Sequence, residues 1–184
     1  GAARAQPNPA TSRFRSLTDV DGLSQMSALA IAQDRQGMLW IGTQIGLNRY
    51  DGSAIEVFSH RPGQARGEGL SDQYINQLAV DRDGLLWIGT LNGLDRFDPA
   101  TEQFHSWRAD AGKAHALPHP HINALLVDAD GGVWIGSDGG LSRYRPGDDG
   151  FDSWIEGLPD VQVLALTEGD DGTLWVGTAA GLVK

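Results

Sequence analysis

The strongest constraint in this chain is a tetrapeptide that returns four times in one register: Trp40-Ile41-Gly42-Thr43, Trp87-Ile88-Gly89-Thr90, Trp134-Ile135-Gly136-Ser137 and Trp175-Val176-Gly177-Thr178. The spacings are 47, 47 and 41 residues. Other positions keep step with the tryptophan. A Leu stands 17 residues before it (Leu23, Leu70, Leu117, Leu158), a Gly 3 before (Gly37, Gly84, Gly131, Gly172), and a base 9 after (Arg49, Arg96, Arg143, Lys184). Separately placed positions that share one period define a structural unit that cannot bury its apolar face alone and stacks against copies of itself.

Each unit reads as short strands joined by tight turns. Ile75–Val80 and Ile122–Val127 are apolar and β-branched, of strand length, and are followed by Asp81-Arg82-Asp83-Gly84 or Asp128-Ala129-Asp130-Gly131. In such turns Asp bonds its own backbone and Gly takes a left-handed conformation. A second strand carries the tryptophan, a third runs Gly46–Asp51 or Gly93–Asp98, and a fourth Ile55–Phe58 or Glu102–Trp107. Four antiparallel strands per unit make a β-propeller blade. The expectation is an all-β fold of about four four-stranded blades, at about 23–60, 70–107, 117–154 and 158–184. The fourth unit reaches Lys184 within its third strand, and Arg13–Leu17, with Phe14, resembles an outer strand. The ring is therefore expected to be closed by that N-terminal strand, or completed by dimerisation into a larger ring that swaps it.

Composition narrows the function classes. With 24 acidic against 14 basic residues, a net charge of -10 and no basic run, nothing would neutralise a phosphate backbone, and nucleic acid is excluded as a partner. No apolar stretch approaches the roughly 20 residues of a membrane span. Without cysteine there is no disulfide, thiolate metal site or cysteine nucleophile. Ala3-Arg4-Ala5 has the small residues of a signal-peptidase site, so residues 1–12 read as a signal-peptide remnant or disordered leader.

The stretch Leu17-Thr18, Asp21-Gly22-Leu23-Ser24, Gln33-Asp34, Gly37–Thr43 and Gly46–Gly52 resembles the start of two-component regulator propellers, and the likeness recurs in every unit. That resemblance implies the periplasmic sensor region of a bacterial histidine kinase, hybrid two-component protein or diguanylate cyclase. It also implies that membrane attachment and output belong to segments other than this one.

Positions that repeat are explained by the fold, so recognition is sought where the units differ. Gln44, Asn92 and Asp138 are expected at equivalent places in the turns after Thr43, Thr90 and Ser137. Arg66, Asp72, Tyr74, His115, His119 and His121 lie in segments that connect blades. A polar, aromatic-flanked face suits a small polar ligand such as a carbohydrate. His119-Pro120-His121 with His115 could hold zinc by count, but all three fall in one connector without counterpart elsewhere, so no metal or cofactor is expected. The Asp-Gly turns lack the ligands of an EF-hand loop, and there is no nucleophile elbow, phosphate loop or HExxH helix. The chain thus reads as a non-catalytic, extracytoplasmic ligand-binding sensor that self-associates. A protein-interaction or structural propeller is the alternative, and a propeller hydrolase or lyase comes after it.

Overall fold

The computed structural model describes residues 15–61, 63, 69–110 and 112–184. The leader, together with Arg13 and Phe14, lies outside the described residues. Four antiparallel sheets follow one another along the chain, each a meander whose strands are hydrogen-bonded in chain order. The first sheet holds β1 (Ala30–Gln33), β2 (Leu39–Thr43), β3 (Gly46–Tyr50) and β4 (Ile55–Phe58). The second holds β5 (Ile75–Val80), β6 (Leu86–Thr90), β7 (Gly93–Asp98) and β8 (Gln103–Trp107). The third holds β9 (Ile122–Val127), β10 (Val133–Ser137), β11 (Gly140–Arg145) and β12 (Gly150–Trp154). The fourth holds β13 (Val163–Glu168), β14 (Leu174–Thr178) and β15 (Gly181–Val183), three strands among the described residues.

The first strands β1, β5, β9 and β13 pack side by side in that order, as propeller blades do around an axis. Arg15–Leu17 belong to no strand. Immediately after them the backbone N–H of Thr18 donates to Asp21 Oδ2 at 2.9 Å and starts a turn of 3-10 helix.

Three repeated devices explain why this sequence takes these sheets. In the first three sheets the arginine nine residues after the Trp is its cross-strand partner: Trp40 faces Arg49, Trp87 faces Arg96 and Trp134 faces Arg143. Each guanidinium lies over its indole, at 5.7, 5.6 and 5.1 Å from the ring centroid, a cation–π contact that adds to the cross-strand pairing. The arginines also reach acids: Arg49 pairs with Glu56 and with Glu102 of the next sheet, and Arg143 with Asp128.

The second device fixes the other side of the indole. The Nε1 of Trp40, Trp87 and Trp134 donates to Asp34, Asp81 and Asp128 at 2.9, 2.8 and 2.8 Å. The same aspartates close the β1–β2, β5–β6 and β9–β10 turns through backbone N–H groups. Gly169 occupies this place in the fourth unit.

The third device is the glycine two residues after each Trp. A Cβ on Gly42, Gly89 or Gly136 would lie 2.5, 2.7 or 2.5 Å from a methyl group of Ile75, Ile122 or Val163 in the following sheet. Only a residue without a side chain lets the next blade come this close. Between the sheets Trp40 packs with Ile75, Leu86, Ile88 and Phe97, and Trp87 with Ile122, Ile135 and Phe151. Trp40 and Trp87 are 0% and 1% exposed, whereas Trp175 in the last sheet is 36% exposed. Removing such a buried indole typically costs about 3–5 kcal/mol.

Candidate functional site

The β2–β3, β6–β7 and β10–β11 turns are closed by a hydroxyl. Thr43, Thr90 and Ser137 donate to the carbonyls of Gly46, Gly93 and Gly140 at 3.1, 2.8 and 3.1 Å. The strand register pairs these same residues. It makes Gln44, Leu91 and Asp138 equivalent and moves Asn92 one place further, beside Ile45 and Gly139. The expectation of one shared position therefore fails for Asn92. The reason is that register is counted from the paired glycine, and Leu91 fills the first place of that turn.

These turns lie at the same end of the sheets as the starts of the first strands. Two repeat positions there differ between units. Thirteen residues before each Trp stand Ser27, Tyr74, His121 and Gln162, and 11 before stand Leu29, Asn76, Asn123 and Leu164. Tyr74, Asn76, Gln77, His121 and Asn123, flanked by Leu29 and Leu164, line a shallow cavity of about 340 Å³ to which all four sheets contribute. This is the axial mouth.

Asp138 organises one wall. Its Oδ1 accepts from Asn123 Nδ2 at 2.7 Å and from Gln162 Nε2 at 2.9 Å, and its Oδ2 lies 2.9 Å from His121 Nδ1. The hydrogen bonds therefore join the third sheet to the start of the fourth. Burial opposes the charge of Asp138, but donation from Asn123 and Gln162 and the proximity of His121 outweigh it and hold the carboxyl below its usual range. The two asparagines also bridge sheets: Asn76 Nδ2 donates to the Ile122 carbonyl at 3.0 Å and Asn123 Nδ2 to the Val163 carbonyl at 3.1 Å. Gly139 permits the connector to lie against the β10–β11 turn, since a Cβ there would come within 2.8 Å of His119 Cβ.

Of the residues expected from sequence, Tyr74 and His121 line this cavity, and Asp138 supports it from behind through His121 and Asn123. Asp72 accepts the Tyr74 N–H at 2.8 Å and shapes the connector, and His119 Nδ1 accepts the His121 N–H at 3.2 Å. Gln44 is half-buried in its turn and Asn92 is exposed in its own. The Asn92 carbonyl accepts from Arg108 at 2.7 Å. His115 sits at the outer rim, where its Nδ1 lies 3.2 Å from the Phe151 carbonyl and 3.8 Å from Asp152. It is thus separated from His121, and the described residues contain no cluster of three His, Asp or Glu side chains suited to a metal. Arg66 lies outside the described residues. Sequence reasoning missed Asn76, Gln77, Asn123 and Gln162, although alignment of the units on their tryptophans shows the first, third and fourth at the two variable positions.

A fully buried acid elsewhere serves the scaffold. Asp95 is 0% exposed and accepts the Ser71 N–H at 2.8 Å. Burial pushes it up to about 6, only partly offset by the Ser106 and Ser71 hydroxyls, the Ser71 N–H and the charge of Arg108.

A family model described as "Two component regulator propeller" matches residues 22–44, 69–92, 116–139 and 157–180, together just over half of the chain. Histidine kinase P4 of Formosa agariphila is 47% identical over 49 residues, which is 27% of this chain and 4% of that protein. Two crystal structures from B. thetaiotaomicron share the fold. The extracellular domain of the hybrid two-component system BT3049 superposes with a TM-score of 0.84 at 24% identity, over 91% of this chain and 24% of that one. That of the hybrid two-component system BT4673 superposes with a TM-score of 0.71 at 23% identity, over 88% and 21%. The chain thus corresponds to a part of each, and its four sheets match part of a β-propeller.

Proposed function

This chain belongs to the two-component regulator propeller family, and on that premise we propose that it is a non-catalytic, extracytoplasmic sensor segment of a two-component signalling protein. It takes up a small polar ligand, such as a sugar, at the axial mouth. The observation that carries this reading is the convergence of Tyr74, Asn76, His121 and Asn123, at the two positions where the repeats differ, around one cavity of about 340 Å³. That volume suits a small ligand. The polar groups are held by hydrogen bonds between sheets, so a bound molecule that engages them favours one relative placement of blades, and it shifts that equilibrium by its differential affinity.

The test is a thermal-denaturation screen with neutral, amino and acidic sugars. Ligand at 100 times its dissociation constant stabilises the native state by about 2.7 kcal/mol. A shift abolished by Tyr74→Ala and by His121→Ala supports the axial site. A shift that survives both, or no shift with any sugar, overturns it.

Self-association accompanies this function. The outer faces of the first and last sheets carry Ile31 and Leu182, 66% and 65% exposed, and Trp175, exposed where Trp40 and Trp87 are buried. A second copy that sets its first sheet against the last sheet of its partner covers both faces and extends the ring. Light scattering that finds a dimer, dissociated by Leu182→Asp, supports this arrangement; a monomer at high concentration refutes it.

A further inference from the structure

We infer that the axial mouth is a hydrogen-bond-accepting receptor, built to take a ligand that presents hydroxyl or ammonium donors and to reject carboxylates, with Asp138 as the residue that gives His121 its accepting character. The inference rests on the axial mouth being the ligand site, and it follows from the hydrogen bonds that Asn76, Asn123 and His121 make to the protein. The Nδ2 of Asn76 donates one N–H to the Ile122 carbonyl, and that of Asn123 donates both, to Asp138 and to the Val163 carbonyl. Because those partners only accept, the amide orientations are fixed, and both Oδ1 atoms remain without a protein partner among the described residues.

His121 follows the same logic. Its Nδ1 lies 2.9 Å from Asp138 Oδ2. A carboxylate can only accept, so Nδ1 carries the proton and, in the neutral ring, Nε2 is a bare acceptor. No described protein group bonds Nε2. Two bonds hold the His121 backbone: its N–H donates to His119 Nδ1 at 3.2 Å, and its carbonyl accepts the Asp138 N–H at 3.3 Å. Three acceptors therefore belong to residues that line the cavity, with the Asp138 carboxylate behind His121 and Asn123. Tyr74, the Gln77 carboxamide and the second N–H of Asn76 can also donate. A carboxylate ligand would leave these three acceptors unpaired and bring a second negative charge near Asp138, whereas a polyol or amine supplies the protons these atoms lack.

The decisive measurement is the imidazole nitrogen spectrum of ¹⁵N-histidine-labelled protein above the titration of its histidines, with the His121 signals assigned by their loss in His121→Gln. The expected result is a proton on Nδ1 and none on Nε2. Asp138→Asn keeps an oxygen for Asn123 and Gln162 but turns an N–H toward Nδ1, so the tautomer should invert, with the proton on Nε2. A residue with a merely structural role would not invert it. Wild-type protein with the proton on Nε2, or a variant whose tautomer is unchanged, overturns the assignment.

Galactose, galactosamine and galacturonate then serve as probes of one shape with hydroxyl, ammonium and carboxylate chemistry. Galactose or galactosamine should move the Nε2 signal, which of the two binds more tightly identifying the donor, and should bind about tenfold more weakly to Asp138→Asn, the loss of about one hydrogen bond. Preference for galacturonate overturns this inference while the axial site stands. If none of the three moves the signal, the axial-site reading falls and takes this inference with it, even with the tautomer as expected.

Discussion

Replacement of Asp95 by Asn should stabilise the protein at neutral pH, and the gain should vanish in acid. Asp95 stands on β7 opposite Ser106 on β8, and both Asp95 Oδ1 and Ser106 Oγ are buried without a well-formed hydrogen bond. The nearest fixed charge, Arg108, donates to the carbonyls of Asn92 and Ser71. Raising the acid from 3.8 to about 6 corresponds to a penalty of about 3 kcal/mol on its ionised form. The native state then holds a proton more tightly than the unfolded chain does. Stability due to this group is therefore highest below about pH 4, falls as pH rises through the interval, and carries the full penalty above about pH 6.

The first sheet supplies the template for the substitution. Asn48, the equivalent of Asp95, accepts the Ser24 N–H at 2.8 Å and donates to Ser24 Oγ at 2.9 Å and to the Ile41 carbonyl at 3.1 Å. Urea unfolding of wild type and Asp95→Asn across pH 4 to 8 checks the reasoning. The variant should gain up to about 3 kcal/mol at pH 7.5 and little at pH 4. A difference between the two proteins that does not depend on pH would refute the argument, because it would mean that Asp95 has the same proton affinity folded and unfolded.

Two further expectations concern the joints between blades. Gly89→Ala should destabilise by about 1–3 kcal/mol, since its Cβ would meet Ile122 at 2.7 Å, whereas Gly177→Ala meets only Ala165 Cβ at 3.4 Å and should be close to neutral; paired denaturation curves read the difference. Asp81→Ala removes the acceptor of the Trp87 indole and of the Leu85 and Asp83 N–H groups. It should cost about 1–3 kcal/mol and alter the near-ultraviolet dichroism of that tryptophan.

The scaffold was legible because its determinants recur. A tryptophan, a glycine two residues on and an Asp-Gly turn in fixed order imply strands and a stacking face, and the strands read at Ile75–Val80, Leu86–Thr90 and Gly93–Asp98 are those found. Small differences fall at ends: the third strand of the first sheet stops at Tyr50, and the fourth of the second begins at Gln103. The recurring arginine was visible as a repeat position, but its stacking over tryptophan depends on a cross-strand register that nine residues of sequence separation did not reveal.

The site was harder because its members are scattered and chemically ordinary. His121 and Asp138 are 17 residues apart, and Gln162 lies 24 beyond Asp138; only the stacking of sheets brings the three together. His115, close to His121 in sequence, ends at the outer rim. Proximity along a connector was a poor guide, whereas equal distance from the tryptophan would have grouped Tyr74, His121 and Gln162.

The notch at Gly42, Gly89 and Gly136 is filled by a branched side chain of the following sheet, and the second and third units each carry both a notch (Gly89, Gly136) and a filler for the notch before it (Ile75, Ile122). Duplication of one unit therefore copies both halves of the joint, and an added unit arrives already machined to fit its predecessor. Lengthening or shortening such an array demands no compensating substitution at the seam, which leaves the residues facing the axis free to diversify without renegotiating how the array is assembled.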